Sequence, residues 1–297
     1  MDFTLYWFMF PVSIMVATTA MLSGIGGAAL FTPIFLIVFP LLGPEYPLAT
    51  PVAAIGVALL TETFGFSSGF VGYCRKGLID FQSALPFIAV AVPVAIAGAL
   101  VLQFTNPTVL KGAYATLMLI LAVVMYRHHE PVEHEIEVLM GAGNGKPRET
   151  REIHARDGTI YRFKKPRQGT GAIATSIGAF LTGLLSVGIG EVVMPQLAKR
   201  NRVPIPVAAA TSVLVVIVTI AAASFTQISM LISAGGVQAV PWHLVAYTVP
   251  AVIIGGQIGP RLQGKISQRM MERSIGILFG VIGVAMWIVT VQQADLH

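Results

Sequence analysis

The chain has 297 residues, 55% of them hydrophobic and 11% charged, against about 25% charged in an ordinary soluble chain. Its 19 bases and 14 acids give a net charge of +5, but they cluster between long apolar runs. That pattern excludes a soluble globular enzyme and reads the basic excess as membrane orientation, not nucleic-acid binding. The single Cys74 excludes an internal disulfide and a cysteine-rich metal centre, and nothing calls for a metal or a cofactor.

Asp2 is the only charge before Glu45, so a positively charged leader region is not expected at the N-terminus. The first apolar piece, about 5–23, runs into "LSGIGGAALFTP", which crowds Gly24, Gly26, Gly27 and Pro33 into residues 22–33. Glycine weakens a helix and proline breaks its hydrogen-bond ladder. In lipid, the freed backbone groups cost several kcal/mol unless something satisfies them. Either these small residues let helices touch, or the segment is a break that faces a ligand. The second piece follows at 27–43.

The third piece, 48–73, begins at Thr50 and carries Glu62 near its middle, flanked by Thr61 and Thr63. An ionisable group inside the membrane is costly and functional by default. The same piece holds "GFSSG" (65–69), a formal match to GxSxG, for which His243 can be imagined as a partner. A nucleophile elbow needs a strand-to-helix turn, and this pentapeptide interrupts an apolar helix. An intramembrane serine hydrolase is therefore the discounted reading, and the chain is not expected to be an enzyme. Arg75, Lys76 and the turn "GLID" (77–80) lead to the fourth and fifth pieces, 81–104 and 108–126.

The segment 128–169, with Arg127 before it, holds nearly half of all charges, including nine bases. Its Asp157-Gly158, between Ile153/Ala155 and Ile160/Arg162, predicts a small hairpin closed by a two-residue turn. "GAGNGKP" is one residue too short for a P-loop. "GIGGAA" imitates a dinucleotide fingerprint without a preceding strand.

Five further pieces follow at 170–187, 190–198, 203–233, 242–260 and 274–293. They repeat the first five. "SGIGGAALFTP" (23–33) lies over "LSVGIGEVVMP" (185–195), so Gly26 meets Gly188 and Pro33 meets Pro195. Ala49-Thr50-Pro51 lies over Ala210-Thr211-Ser212, and Pro93 and Gly98 lie over Pro250 and Gly255. Four matches in one order predict an internal repeat. Basic clusters at 75–76, 127–167, 199–202 and 261–273 belong in the cytoplasm, with Lys111 the one dissenter. This places both termini outside and inverts the second half relative to the first.

The expected fold is thus an all-α integral membrane protein. Residues 1–127 and 170–297 form two inverted repeats of about five helical pieces, with discontinuous or re-entrant helices at the glycine breaks. A cytoplasmic linker, 128–169, carries the β-hairpin. In such transporters the broken helices meet near the midplane and aim their N-terminal ends at anionic substrate groups. Gly24, Gly26, Gly27, Gly188 and Gly190 are the candidate anion donors through their backbone, with Thr50, Thr211 and Ser212 through their hydroxyls. Glu191 stands in the first turn of a half-helix. Ionised, it would repel the anion, whereas desolvation favours the neutral acid. Glu191 and Glu62 are therefore the candidate proton-coupling groups. His243, beside Trp242, reads as an interfacial structural residue.

The paired motifs, Gly26-Gly27 with Pro33 and Gly188-Ile189-Gly190 with Pro195, resemble the twice-repeated glycine-rich motif of the TauE/SafE sulfite exporter family. The Ala-Thr/Ser elements and "GLID" are similar to that family as well, over roughly 12–127 and 170–292. Where the family usually has a third glycine, this chain has Ala28 and Glu191. The resemblance implies a carrier in the cytoplasmic membrane that exports sulfite, thiosulfate or an organosulfonate and is driven by an ion or substrate gradient. An uptake carrier or a channel for another small anion fits the same residues. The expected partners are the anion, lipid and protons.

Overall fold

The computed structural model describes residues 5–23, 26–43, 45–46, 48, 50–127, 150–166, 171–262 and 268–294. Gly24, Ala49 and the "GAGNGKP" stretch lie outside the described residues.

Lipid cannot hydrogen-bond the backbone, so an apolar chain that enters it folds into helices that satisfy themselves. Among the described residues, five helices are long and apolar enough to cross a membrane: α4 (Pro51–Lys76), α5 (Phe81–Leu102), α6 (Pro107–Arg127), α9 (Ile205–Gly235) and α11 (Gln268–Ala294), the last through its stretch Arg273–Val291. Next to them α10 (Trp242–Leu262) has 21 residues, and α1 (Met9–Ser23) and α7 (Gly171–Leu185) have 15 each.

Two elements are broken. After α1 the chain restarts as α2 (Ala28–Pro33), passes through one wide π turn (Ile34–Val38) and ends in α3 (Phe39–Leu42). After α7 it restarts as α8 (Ile189–Pro195) and enters a second π turn (Gln196–Arg200). Proline lacks an N–H and its ring crowds the carbonyl four residues back, so the register widens behind it. The same irregularity follows Pro33 and Pro195.

The buried centre consists of α4 and α9 packed on each other. On one side α10 lies against α1 and α4; on the other α5 lies against α7 and α9; α6 and α11 pack together at the periphery. Exchanging α1, α4, α5 and α6 for α7, α9, α10 and α11 reproduces this set of pairings. Two close crossings are matched too. Gly98 on α5 meets the carbonyl of Phe180 on α7, and Gly255 on α10 meets that of Ile14 on α1. A Cβ on Gly255 would stand 2.5 Å from the Ile14 oxygen, so only glycine allows the helices this near. The outer faces of α5, α6 and α11 expose Leu85, Val101, Ile120, Ile277 and Val281, the apolar surface a lipid environment requires.

Strands β1 (Thr150–His154) and β2 (Ile160–Lys164) form the antiparallel hairpin, with His154 opposite Ile160. Its turn corrects the two-residue expectation. Ala155 N–H donates to Thr159 O at 2.9 Å and Gly158 N–H to Ala155 O at 3.1 Å, which leaves a three-residue loop, 156–158. Gly158 alone in this loop has positive φ, +87°, whereas the two-residue type I′ turn needs two such residues. Asp157 instead accepts the Thr159 amide at 2.9 Å, and this bond holds its carboxyl below the ordinary range.

The hairpin docks on the α4–α5 turn. Arg156 N–H donates to Lys76 O at 3.1 Å. Arg151 pairs with Asp80 at 2.7 Å, which also caps α5 through Ser83 N–H. Lys76 Nζ donates to Pro260 O at 2.5 Å, and Asp80 N–H donates to Thr211 Oγ1 at 3.0 Å. The turn after α4, the hairpin, the start of α9 and the end of α10 therefore share one end of the molecule, and the basic clusters at 75–76 and 261 lie there with them.

Candidate functional site

Glu62 is the twelfth residue of α4, on its buried face, with 3% of its surface exposed. By helical rise it stands about 18 Å from Thr50 and about 21 Å from Lys76, well inside the span. Its carboxylate lies against the amides of Gly27 and Ala28 at the start of α2. A helix start leaves such amides without internal acceptors, so the first break is met by an acid from the neighbouring helix.

The second break is met by an acid of its own. Gly188, at φ +140°, turns its N–H into the Glu191 carboxylate, Oε2 accepting at 3.0 Å. Ile189 N–H goes to Thr182 Oγ1 at 2.7 Å. Just before them Ser186 holds φ +63°, a strained conformation for a side-chain-bearing residue.

The two breaks converge. A Cβ on Gly26 would lie 3.1 Å from Glu62 Oε1 and 3.6 Å from Glu191 Oε1, and the Gly26 amide also lies close to the Glu191 carboxylate. Both Oε1 atoms are sealed from solvent and lack a hydrogen-bond partner among the described residues. Buried Tyr114 of α6 donates to Ala29 O at 2.8 Å, beside Thr32 and facing both acids. Thr32 and Ser186 bond through their hydroxyls at 2.7 Å. Beside Glu62 lies a cavity of about 10 Å³, walled by Ala17, Met21, Gly27, Phe31, Phe66 and Val252. It is about the size of one water and, apart from Glu62, walled by apolar groups.

Of the residues expected from sequence, the structure brings together Gly26, Gly27, Gly188, Glu62 and Glu191. Gly190 is buried in the first turn of α8. The expected hydroxyls lie elsewhere. Thr50 is exposed and caps α4 through Ala53 N–H at 3.1 Å, Thr211 accepts from Asp80 at the basic end, and Ser212 donates to Ala209 O at 2.9 Å. His243 packs its ring 5.0 Å from that of Tyr6. Ser67 donates to Thr63 O inside an unbroken helix, without the strand-to-helix turn a nucleophile elbow requires. Sequence reasoning missed Tyr114, Thr32, Ser186 and Thr182. Thr32 and Ser186 flank the matched glycines and could have been found by their place in the repeat, whereas Tyr114 carries no such signal.

Chemically, the arrangement is a dry chamber where two broken helices meet. It brings two carboxyl groups, several hydroxyls and the amides of two helix starts together.

Comparison with known proteins gives three findings. The family described as "Sulfite exporter TauE/SafE" matches residues 9–286. A relative from Bacillus subtilis (strain 168), "Probable membrane transporter protein YunE", is 23% identical over 274 residues, covering 92% of this chain and 93% of the relative. No solved structure matches.

Proposed function

The chain belongs to the sulfite exporter TauE/SafE family, and we propose that it exports a small sulfur-containing anion of the sulfite, thiosulfate or organosulfonate class across the cytoplasmic membrane. That it is a multi-pass membrane transporter follows from the family and its apolar helices. The reading adds the substrate class, the outward direction and coupling to protons. The observation that carries it is the meeting of both breaks and of the acids Glu62 and Glu191 at Gly26.

Two inverted repeats, 1–127 and 170–297, account for the architecture in this reading. Its support is the interchangeable set of helix pairings, the shared π turns, and the opposite sense in which α4 and α9 run relative to the basic end. Basic clusters mark the cytoplasmic side, so the hairpin of the linker 128–169 is cytoplasmic. In this reading the amides of Gly24, Gly26, Gly27, Gly188 and Gly190 hold the anion between the breaks once Glu191 and Glu62 give them up on proton uptake. Thr50, Thr211 and Ser212 serve as caps and inter-helix ties.

The test is flux in proteoliposomes with a panel of sulfite, thiosulfate, taurine, sulfate and chloride. Sulfur oxyanion or sulfonate flux that responds to an imposed pH gradient is expected. Chloride flux alone would mark a channel or carrier for another anion.

A further inference from the structure

We propose that Glu62 and Glu191 act as one titrating unit, a carboxyl–carboxylate pair that holds a single exchangeable proton and turns it over once per transport cycle. The inference rests on the proton-coupled carrier reading and deepens it: the acids count as one group, and the stoichiometry is one.

The geometry is reciprocal. Glu191 Oε2 accepts from Gly188, and the Glu62 carboxylate lies on the amides of Gly27 and Ala28. Each acid thus has backbone donors on one side, and each turns a partnerless Oε1 toward the same point beside Gly26. Gly26 has no side chain to stand between them. Among the described residues, the group that faces both acids from another element is the Tyr114 hydroxyl of α6, with Thr32 of α2 beside it; Thr32 is bonded to Ser186, and Thr182 takes the Ile189 amide. The ion pairs found among the described residues lie at Asp80 and Glu152, away from this site.

These facts fix the charge. Two carboxylates in one dry chamber repel, and two neutral acids waste the amides aimed at a negative group. One proton satisfies both demands, and it belongs to the pair and not to either residue.

Purified protein in detergent tests this without any substrate, through the unfolding temperature between pH 5 and 8. The native pair keeps a proton that unfolded glutamates have lost above about pH 4.3, so wild-type stability falls as pH rises. Glu62→Gln and Glu191→Gln each supply an amide donor to the remaining carboxylate and remove the shared proton. Each single variant is expected to lose the pH slope, and the double variant to be no flatter. Singles that each keep about half of the slope overturn the proposal, as does a double variant with the wild-type slope. Infrared difference spectra of the wild type against the double variant at one pH between 5 and 8 count the protonated acids directly: the carboxylic C=O band of one group is expected, and none or two overturns sharing. In proteoliposomes with sulfite and an internal pH dye, one proton per anion is expected for wild type. If sulfite does not move while the slope pattern holds, the substrate reading fails and the pair stands.

Discussion

Thr32 and Ser186, 154 residues apart, share a buried hydrogen bond of 2.7 Å between their hydroxyls. The bond ties the short helix after the first break to the strained turn before the second. A carrier that alternates between two openings must move such contacts. In a Cys74→Ala background, Thr32→Cys with Ser186→Cys is therefore expected to form a disulfide under oxidation and to stop flux, with recovery on reduction. Mass spectrometry of the linked peptides checks the bond. Free passage through the cross-linked protein would show that the breaks stay fixed during transport.

Glu191→Gln keeps an oxygen able to accept from Gly188 N–H while fixing the group as neutral. It is expected to insert, fold and bind substrate normally, and to lose the pH dependence of flux across pH 5 to 8. An unaltered pH profile would make Glu191 a helix cap and nothing more.

Gly98→Ala and Gly255→Ala push a methyl into a backbone carbonyl of the partner helix. Overpacking of this kind costs about 1–3 kcal/mol or more, and no flexible side chain can move aside. Both are expected to lower the unfolding temperature and the yield by similar amounts, since they sit at matched crossings. Fluorescence-detected size exclusion with a thermal ramp measures this.

Arg151→Ala leaves the buried Asp80 carboxylate without its cation. The pair is slightly exposed, with side-chain accessibilities of 16% and 5%, so the expected cost is about 2 kcal/mol, under the about 3–5 of a fully buried pair. Asp80→Asn keeps the cap on α5, and the double variant should lose less than the sum of the singles. Additive losses would mean that the pair contributes nothing.

Placement of the hairpin on the cytoplasmic side predicts that Asp157→Cys, in a Cys74-free background, reacts with an impermeant maleimide only after cells are opened. Labelling in intact cells would reverse the orientation of the whole protein.

The helical pieces were legible because each is long, apolar and bounded by charge or proline. The breaks were legible because Gly26 and Gly188 recur with Pro33 and Pro195 at one offset. What α4 does with Glu62 was not: its contact with Gly26 depends on how one helix is rotated against another, and in an apolar span the periodicity that would report rotation is weak. Thr50 and Thr211 looked equivalent in sequence, yet one begins a helix and the other lies inside one, so local capping decided the first and tertiary packing the second. Tyr114 reads as one more aromatic in a greasy helix until Ala29 supplies its acceptor. The hairpin turn came out one residue longer because Asp-Gly fits more than one loop length and strand register decides between them.

The space beside Glu62 measures about 10 Å³, which bears on any affinity measured for this protein. On the reading proposed above, an anion does not fit a space that small and binds only the fraction of molecules whose helices have parted. The apparent dissociation constant is the intrinsic one divided by that fraction. Substitutions that loosen helix contacts far from the acids will then tighten apparent binding without touching the ligand. Titrations on this protein will report how readily its helices part as much as what its amides prefer.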